Sequence, residues 1–180
     1  MKPAILVVLL SIGIPVLAFP QVKTMTRSAN SPAHVSNRFT LTVNAPFEKA
    51  ALLFGPESER NWAGSEWNPQ FLFPQPGEDV QGAVFTIQHE SHQSVWVNTR
   101  FDAKTGRFQY VYFIPGILVT TIDVRLSPEG PTNTRVEVTY TRTALESRAN
   151  DEVRALGERD RNSGKHWQES INAYLSGRHR

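Results

Sequence analysis

The sequence predicts an α+β domain in which one antiparallel sheet packs against a single long C-terminal helix. Three observations predict this class: strand-like runs of alternating polarity recur after residue 37, the breaks between them are short, and residues 150–177 carry apolar side chains at helical spacing. A parallel sheet would need connections of a dozen residues or more, so consecutive strands are expected to be antiparallel neighbours.

The N-terminus has the pattern of a secretory signal peptide. Lys2 precedes an apolar stretch at 4–17, which is shorter than the roughly 20 residues that a membrane-spanning helix needs. Val16 and Ala18 are small residues placed for cleavage after Ala18. An uncleaved N-terminal anchor is the alternative, and both place the folded part outside the cytoplasm, secreted or periplasmic. The predicted divisions are a signal peptide at 1–18, a flexible leader at 19–36 and one folded domain at 37–177.

Composition restricts the partners that we expect. The 180 residues are enough to bury a core, and the formal charge of +2 comes from interspersed acidic and basic residues. This balance provides no electrostatic surface for nucleic acid. The chain has no cysteine, which excludes disulfides and cysteine-ligated metals. We expect no cofactor and no metal, and membrane contact only through an uncleaved N-terminus; the oligomeric state stays open.

The first elements can be placed from local signals. Apolar and polar residues alternate over 37–45, which predicts a strand that Pro46 ends. A short helix at 47–54 follows and is closed by Gly55. A second short helical stretch is predicted at 57–63.

Six further strands complete a predicted meander of about seven. Turn residues separate runs rich in Val, Ile, Thr, Tyr, Phe and Trp. The predicted strands lie near residues 70–73, 83–90, 94–102, 108–114, 117–126 and 134–141.

The long helix has an unusual apolar stripe. A carboxylate, Asp160, and a glycine, Gly164, stand in its middle, where a filled core would rarely place either. This gap predicts a container for a small apolar ligand between sheet and helix, with Gly164 making room for the ligand. The stripe consists of Val153, Leu156, Asp160, Gly164, Trp167, Ile171 and Tyr174.

Taken together, these residues make the chain resemble the START-like (SRPBCC) superfamily, the polyketide cyclase/dehydrase and lipid transport type. The resemblance implies a helix-grip fold, in which a curved sheet of about seven strands wraps the long helix and leaves a hydrophobic cavity. It implies no single activity, and the family has no shared catalytic signature to transfer, so catalytic residues remain unknown. The resemblance is carried by Pro46, Phe47, Glu59, Arg60, Trp62, Trp67, Pro69, 82–85, Val95, Trp96, Asp102, Tyr110, Val111, Pro115, Gly116, 138–141, 143–145, Asn150 and Trp167.

Two charged residues are candidates for ligand contact. Asp160 could orient a polar group of the ligand or act as a general acid or base; alternatively, it faces water beside Arg161 or Lys165. Arg142 shares strand parity with apolar residues and could receive a ligand carboxylate at the cavity rim. Its alternative is a snorkelling side chain in contact with water. His89 and His92 are spaced for a metal, but no third ligand is visible.

Aromatic residues are the expected cavity lining, since large rings suit a ring-containing or acyl ligand. Trp96 and Trp167 could instead fill the core. The full predicted ligand-binding set is Trp62, Trp67, Phe71, Trp96, Tyr110, Tyr140, Arg142, Asp160, Gly164, Trp167 and Ile171.

These features predict an exported binding or carrier protein for a hydrophobic small molecule or lipid. A cyclase/dehydrase-like enzyme that uses acid/base residues in the same cavity is one alternative. An interaction domain whose cavity is filled by its own side chains is another.

Overall fold

A computed structural model of the chain describes residues 31–178. The strands are β1 (His34–Val43), β2 (Gln70–Phe73), β3 (Val84–Gln88), β4 (Gln93–Asp102), β5 (Arg107–Ile114), β6 (Leu118–Pro128) and β7 (Thr134–Ala144). The helices are α1 (Phe47–Ala51) and α2 (Asn150–Leu175), with 3-10 turns at Ser58–Asn61 and Ser147–Ala149. No helix among these residues combines the length and apolar character that crossing a membrane requires.

All strands join one sheet of seven, in the order β1-β7-β6-β5-β4-β3-β2, and every neighbouring pair is antiparallel. Strands β2 to β7 form the predicted meander, and β1 pairs with β7 at its end. Alternation places one face toward α2: along β6, Leu118, Thr120, Ile122 and Val124 are buried while the residues that alternate with them are more exposed. The predicted fold, a curved antiparallel sheet around a long C-terminal helix, is confirmed.

Helix α2 approaches β1 closely because its contact face carries glycine. A Cβ atom on Gly164 would lie 3.1 Å from the carbonyl oxygen of Thr40, and one on Gly157 would lie 2.9 Å from Nδ2 of Asn37. Gly164 was expected to make room for a ligand. It makes room for a strand instead, because the middle of the apolar stripe faces β1.

Side-chain amides of α2 complete the outer edge of β1. The backbone N–H of Thr42 donates to Oε1 of Gln168 (2.9 Å), and that of Asn44 donates to Oδ1 of Asn172 (2.8 Å). Nδ2 of Asn172 in turn donates to the carbonyl of Thr42 at 3.0 Å. These bonds fix both the position and the rotation of α2 against the sheet.

Several element boundaries differ from the predictions by a few residues, and two of these differences affect the core and the leader. The first helix ends at Ala51 rather than at residue 54, because the chain turns there and buries Phe54 in the core. Strand β1 begins at His34, so residues 34–36 pair with β7 and do not belong to the leader. The predicted signal peptide, and the leader up to residue 30, lie outside the described residues.

Candidate functional site

Two clusters of buried polar side chains lie between the sheet and α2. The first follows from strand register, because Tyr112 pairs with Thr120 and Thr120 pairs with Arg142 across three neighbouring strands. Arg142 is 4% exposed and donates two hydrogen bonds to Asp160 on α2, each of 2.7 Å. It also donates to the hydroxyls of Tyr112 and Thr120.

This pairing corrects two predictions. Asp160 was expected to face a cavity or solvent; instead it is 5% exposed and forms a bidentate ion pair. Arg142 was expected at the cavity rim. Its guanidinium group instead already donates to Asp160 and to the hydroxyls of Tyr112 and Thr120. Neither residue is free to receive a ligand carboxylate. The pair joins α2 to β7, so its role is structural.

The second cluster is built by the segment between α1 and β2. Asp79 fixes the start of the 3-10 turn in this segment. It accepts hydrogen bonds from the backbone N–H groups of Glu57 (2.7 Å) and Ser58 (2.9 Å). The indole N–H of Trp62 donates to the carbonyl of Leu53 at 2.7 Å, and that of Trp67 donates to the carbonyl of Pro56 at 2.9 Å. Both indoles are therefore fixed by backbone carbonyls of the same segment.

Glu59 is the carboxyl group of this second cluster. It is 4% exposed, and its Oε1 accepts a 2.6 Å hydrogen bond from the Tyr110 hydroxyl and a 3.3 Å bond from the N–H of Gly55. Within residues 31–178, no side chain or backbone group donates to its other oxygen, Oε2. Glu59 therefore has neutral partners on one oxygen only.

Burial controls the protonation of Glu59. Desolvation raises its pKa from 4.5 to about 8, and the hydrogen bonds from Tyr110 and Gly55 oppose that rise without cancelling it. Burial, together with the neighbouring Glu59, also raises the pKa of Tyr110. The cluster can therefore hold or release a proton near neutral pH.

A cavity of about 190 Å³ opens beside Glu59, between the segment at 57–69, strand β7 and helix α2. Four of the side chains around it are aromatic. Its lining consists of Glu59, Trp62, Ala63, Trp67, Tyr140, His166, Trp167 and Ser170. Tyr140 separates the two clusters, since the Arg142 guanidinium carbon lies 4.8 Å from the centre of its ring.

The structure brings together part of the predicted lining. Trp62, Trp67, Tyr140 and Trp167 surround the cavity. Trp96 stacks on Tyr112 at 4.1 Å inside the core. The predicted residues that the structure places outside the lining are Phe71, Trp96, Tyr110, Arg142, Asp160, Gly164 and Ile171.

Four lining residues were missed by the sequence analysis. Glu59 had been quoted only for the resemblance; its position three residues before Trp62 in a short helical stretch was the available signal. His166 and Ser170 flank Trp167 at positions −1 and +3 on α2, so the helical spacing around that tryptophan could have indicated them. No comparable signal marks Ala63.

Other depressions in the described chain are larger but more open to solvent. One of about 470 Å³ lies beside the β3–β4 turn and includes His89 and His92, whose ring centres are 4.8 Å apart. Among residues 31–178, His, Asp and Glu do not gather in groups of three that could hold a metal. The depression beside the β3–β4 turn is less enclosed than the Glu59 cavity.

Comparison with known proteins gives structural matches only. No family model matches the sequence, and no curated protein matches it. A truncated norcoclaurine synthase from Thalictrum flavum matches with a TM-score of 0.60 and 11% identity, over 83% of this chain and 98% of that one. A hypothetical protein from Helicobacter pylori matches with a TM-score of 0.61 and 12% identity, over 92% and 99%.

CalU16 from Micromonospora echinospora matches with a TM-score of 0.53 and 14% identity, over 81% of this chain and 84% of that one. At these identities the similarity concerns the fold. The curved antiparallel sheet of seven strands and the long C-terminal helix are the features that the chain shares with such structures. The chain therefore has the helix-grip fold that the resemblance noted in the sequence implied.

Proposed function

We propose that this chain is an exported binding protein that holds a small, ring-sized hydrophobic molecule in the Glu59 cavity. The observation that carries the proposal is the cavity itself, a partly enclosed space with four aromatic side chains and one carboxyl group in its wall. Pockets with mostly apolar walls and a few polar groups are typical of small-molecule sites. Export rests on the signal-peptide pattern of residues 1–18.

The volume favours a small molecule over a lipid. Pockets for drug-sized ligands measure roughly 300–1,000 Å³, whereas a dry cavity of about 150 Å³ is known to bind benzene. A space of about 190 Å³ suits one aromatic ring or a similar group. The Thalictrum flavum synthase, of the same fold, has been solved in complex with dopamine and hydroxybenzaldehyde, which are single-ring molecules. An interaction domain with a filled cavity has less support, because this space is open.

Tryptophan fluorescence provides the test. Three of the four tryptophans line the cavity, so a bound ring should change the emission. We expect phenol to bind the wild-type protein saturably. Ser170→Leu should abolish this binding by filling the cavity, while the chain stays folded because Leu has good helix propensity.

Glu169→Leu is the matched control, since residue 169 is exposed on the same helix and does not line the cavity. It should bind phenol like the wild type. Absence of saturable binding to the wild type, or full affinity in a folded Ser170→Leu variant, would contradict the proposal.

An enzymatic function is the second candidate, and Glu59 favours it. A general acid or base works best when its pKa lies near the operating pH, and burial raises the pKa of Glu59 to about 8. We expect a general base in this cavity to accelerate deuterium incorporation at the methyl group of acetophenone in D₂O, followed by NMR. Glu59→Gln should remove the acceleration. Equal rates with wild type, variant and buffer would exclude this activity for a ring-sized ketone.

A further inference from the structure

The cavity contains one carboxyl group whose charge no neighbouring basic side chain balances. Glu59 is the one acidic residue in the lining, which includes neither lysine nor arginine. His166, exposed at the mouth, is the one lining residue that can carry a positive charge. Both hydrogen bonds to Glu59 end on Oε1, from the neutral Tyr110 hydroxyl and the N–H of Gly55.

Oε2 accepts no hydrogen bond from the described residues and is not fully enclosed. In the described chain, Oδ1 of Asn98 is the one fully enclosed side-chain polar atom without a hydrogen-bond partner. Oε2 of Glu59, which also has no donor there, therefore keeps some accessible surface. Glu59 belongs to the lining, so we take the cavity as the space that Oε2 adjoins.

The nearest buried cation is already neutralised. Arg142 binds both carboxylate oxygens of Asp160 and donates to two hydroxyls of its own row. It lies on the Tyr140 ring and does not reach the lining. Apart from His166 at the mouth, the lining offers no cation to an ionised Glu59, so a cationic ligand can supply the complementary charge.

The walls of the cavity suit such a charge. The electron-rich faces of Trp and Tyr attract ammonium groups, and several rings around one space form the usual cage for methylated or protonated amines. Four of the eight lining residues are Trp or Tyr. Anionic ligands, in contrast, would meet the carboxyl group of Glu59.

Building on the proposed function, we infer that the cavity selects small organic cations, amines or quaternary ammonium compounds, over neutral molecules of the same shape. Glu59 provides the counter-charge through Oε2, and the rings of Trp62, Trp67, Tyr140 and Trp167 surround the cationic head. The ring-sized volume restricts the ligand to a single compact head group.

Calorimetry with two probes of equal shape tests this. Choline and 3,3-dimethylbutan-1-ol differ in one atom, a charged nitrogen in place of carbon. Titrations at pH 8.5, above the pKa of about 8 that burial gives Glu59, keep the carboxyl group mostly ionised. We expect choline to bind wild-type protein at least tenfold more tightly than the neutral alcohol.

Glu59→Gln keeps the shape and both hydrogen bonds to Oε1 but removes the charge. It should weaken the binding of choline at least tenfold and leave the affinity for the alcohol unchanged. Glu66→Gln, an exposed neighbour outside the lining, should retain wild-type affinity for both probes. Circular dichroism checks the fold of each variant, and the wild-type ratio of the two affinities decides the matter if Glu59→Gln does not fold.

The outcomes separate this inference from the proposed function. If the alcohol and phenol bind wild-type protein while choline binds no better than the alcohol, cation selectivity is refuted and the ligand cavity remains. Undiminished choline binding in Glu59→Gln also refutes it. If phenol, the alcohol and choline all fail to bind, the proposed function fails and this inference fails with it.

Discussion

Two buried carboxyl groups lie in neighbouring clusters, and they have different partners. Asp160 shares both oxygens with the Arg142 guanidinium group, so its charge is balanced inside the protein. Glu59 has two neutral donors on one oxygen, and it belongs to the lining of a cavity. The two residues are almost equally buried, at 5% and 4% exposed.

Burial of a carboxylate is therefore a poor indicator of a ligand site. The partner distinguishes the two cases: an internal cation makes the group part of the framework, whereas neutral donors leave a charge that a ligand or a proton must balance. We therefore expect Asp160 to contribute to the stability of the fold and Glu59 to contribute to the ligand site. The following experiments test that distinction.

The largest effect is expected from Asp160→Asn. The variant leaves Arg142 buried without a counter-charge, which should lower the free energy of unfolding by about 3–5 kcal/mol. Urea denaturation at pH 7 measures it. Asp151→Asn, in an exposed pair with Arg154, is the control and should change stability by less than about 0.5 kcal/mol. If Asp160→Asn lowers the free energy of unfolding by less than about 1 kcal/mol, the ion pair does not stabilise the fold as proposed.

Glu59→Gln should change the pH dependence of stability. The folded protein keeps a proton on Glu59 up to about pH 8, while the unfolded chain loses it near pH 4.5. The free energy of unfolding of the wild type therefore falls through this group by about 1.4 kcal/mol per pH unit between these values. The variant lacks this contribution. The free energy of unfolding of the variant, minus that of the wild type, should therefore rise by about 2–3 kcal/mol between pH 5.5 and 7.5.

Denaturation curves at several pH values measure the difference between the two proteins. Glu66→Gln should run parallel to the wild type, because that carboxyl group is exposed. Parallel curves for Glu59→Gln as well would show that Glu59 titrates normally and is not held away from water.

The smallest effect is expected from Gly164→Ala. Alanine favours a helix by up to about 1 kcal/mol relative to glycine, but its Cβ would lie 3.1 Å from a backbone oxygen of β1. Overpacking of this kind costs about 1–3 kcal/mol, so we expect a net loss near 1 kcal/mol with phenol binding retained. Asn162→Ala, exposed on the same helix, should not destabilise the protein. A gain in stability for Gly164→Ala would mean that α2 can move away from β1.

The sequence predicted the framework better than the site. Alternating strands and short connections determine the meander, and the spacing of apolar residues determines α2, because these signals are local in the chain. The partner of Asp160 is not local: it depends on the register that pairs Thr120 with Arg142 and on the rotation of α2. Without that register, Asp160 was assigned to the cavity.

The burial of Glu59 likewise could not be predicted from local signals in the sequence. Its burial results from the turn at Gly55 and from Asp79, which lies 20 residues further along the chain and binds the 3-10 turn. No periodicity in a four-residue turn indicates which side chain points inward. The tryptophans were easier to assign, because large aromatic side chains dominate the apolar surface that a core or a pocket buries.

The amide bonds between α2 and β1 have a consequence for self-association. β1 is a ten-residue outer strand, long enough to accept a strand from another molecule. Gln168 and Asn172 already occupy the backbone groups of Thr42 and Asn44 there, so part of this edge cannot pair with a further chain. The sheet's other outer strand, β2, has four residues and is followed by Pro74. The fold thus protects its long edge with side chains and keeps its other edge short.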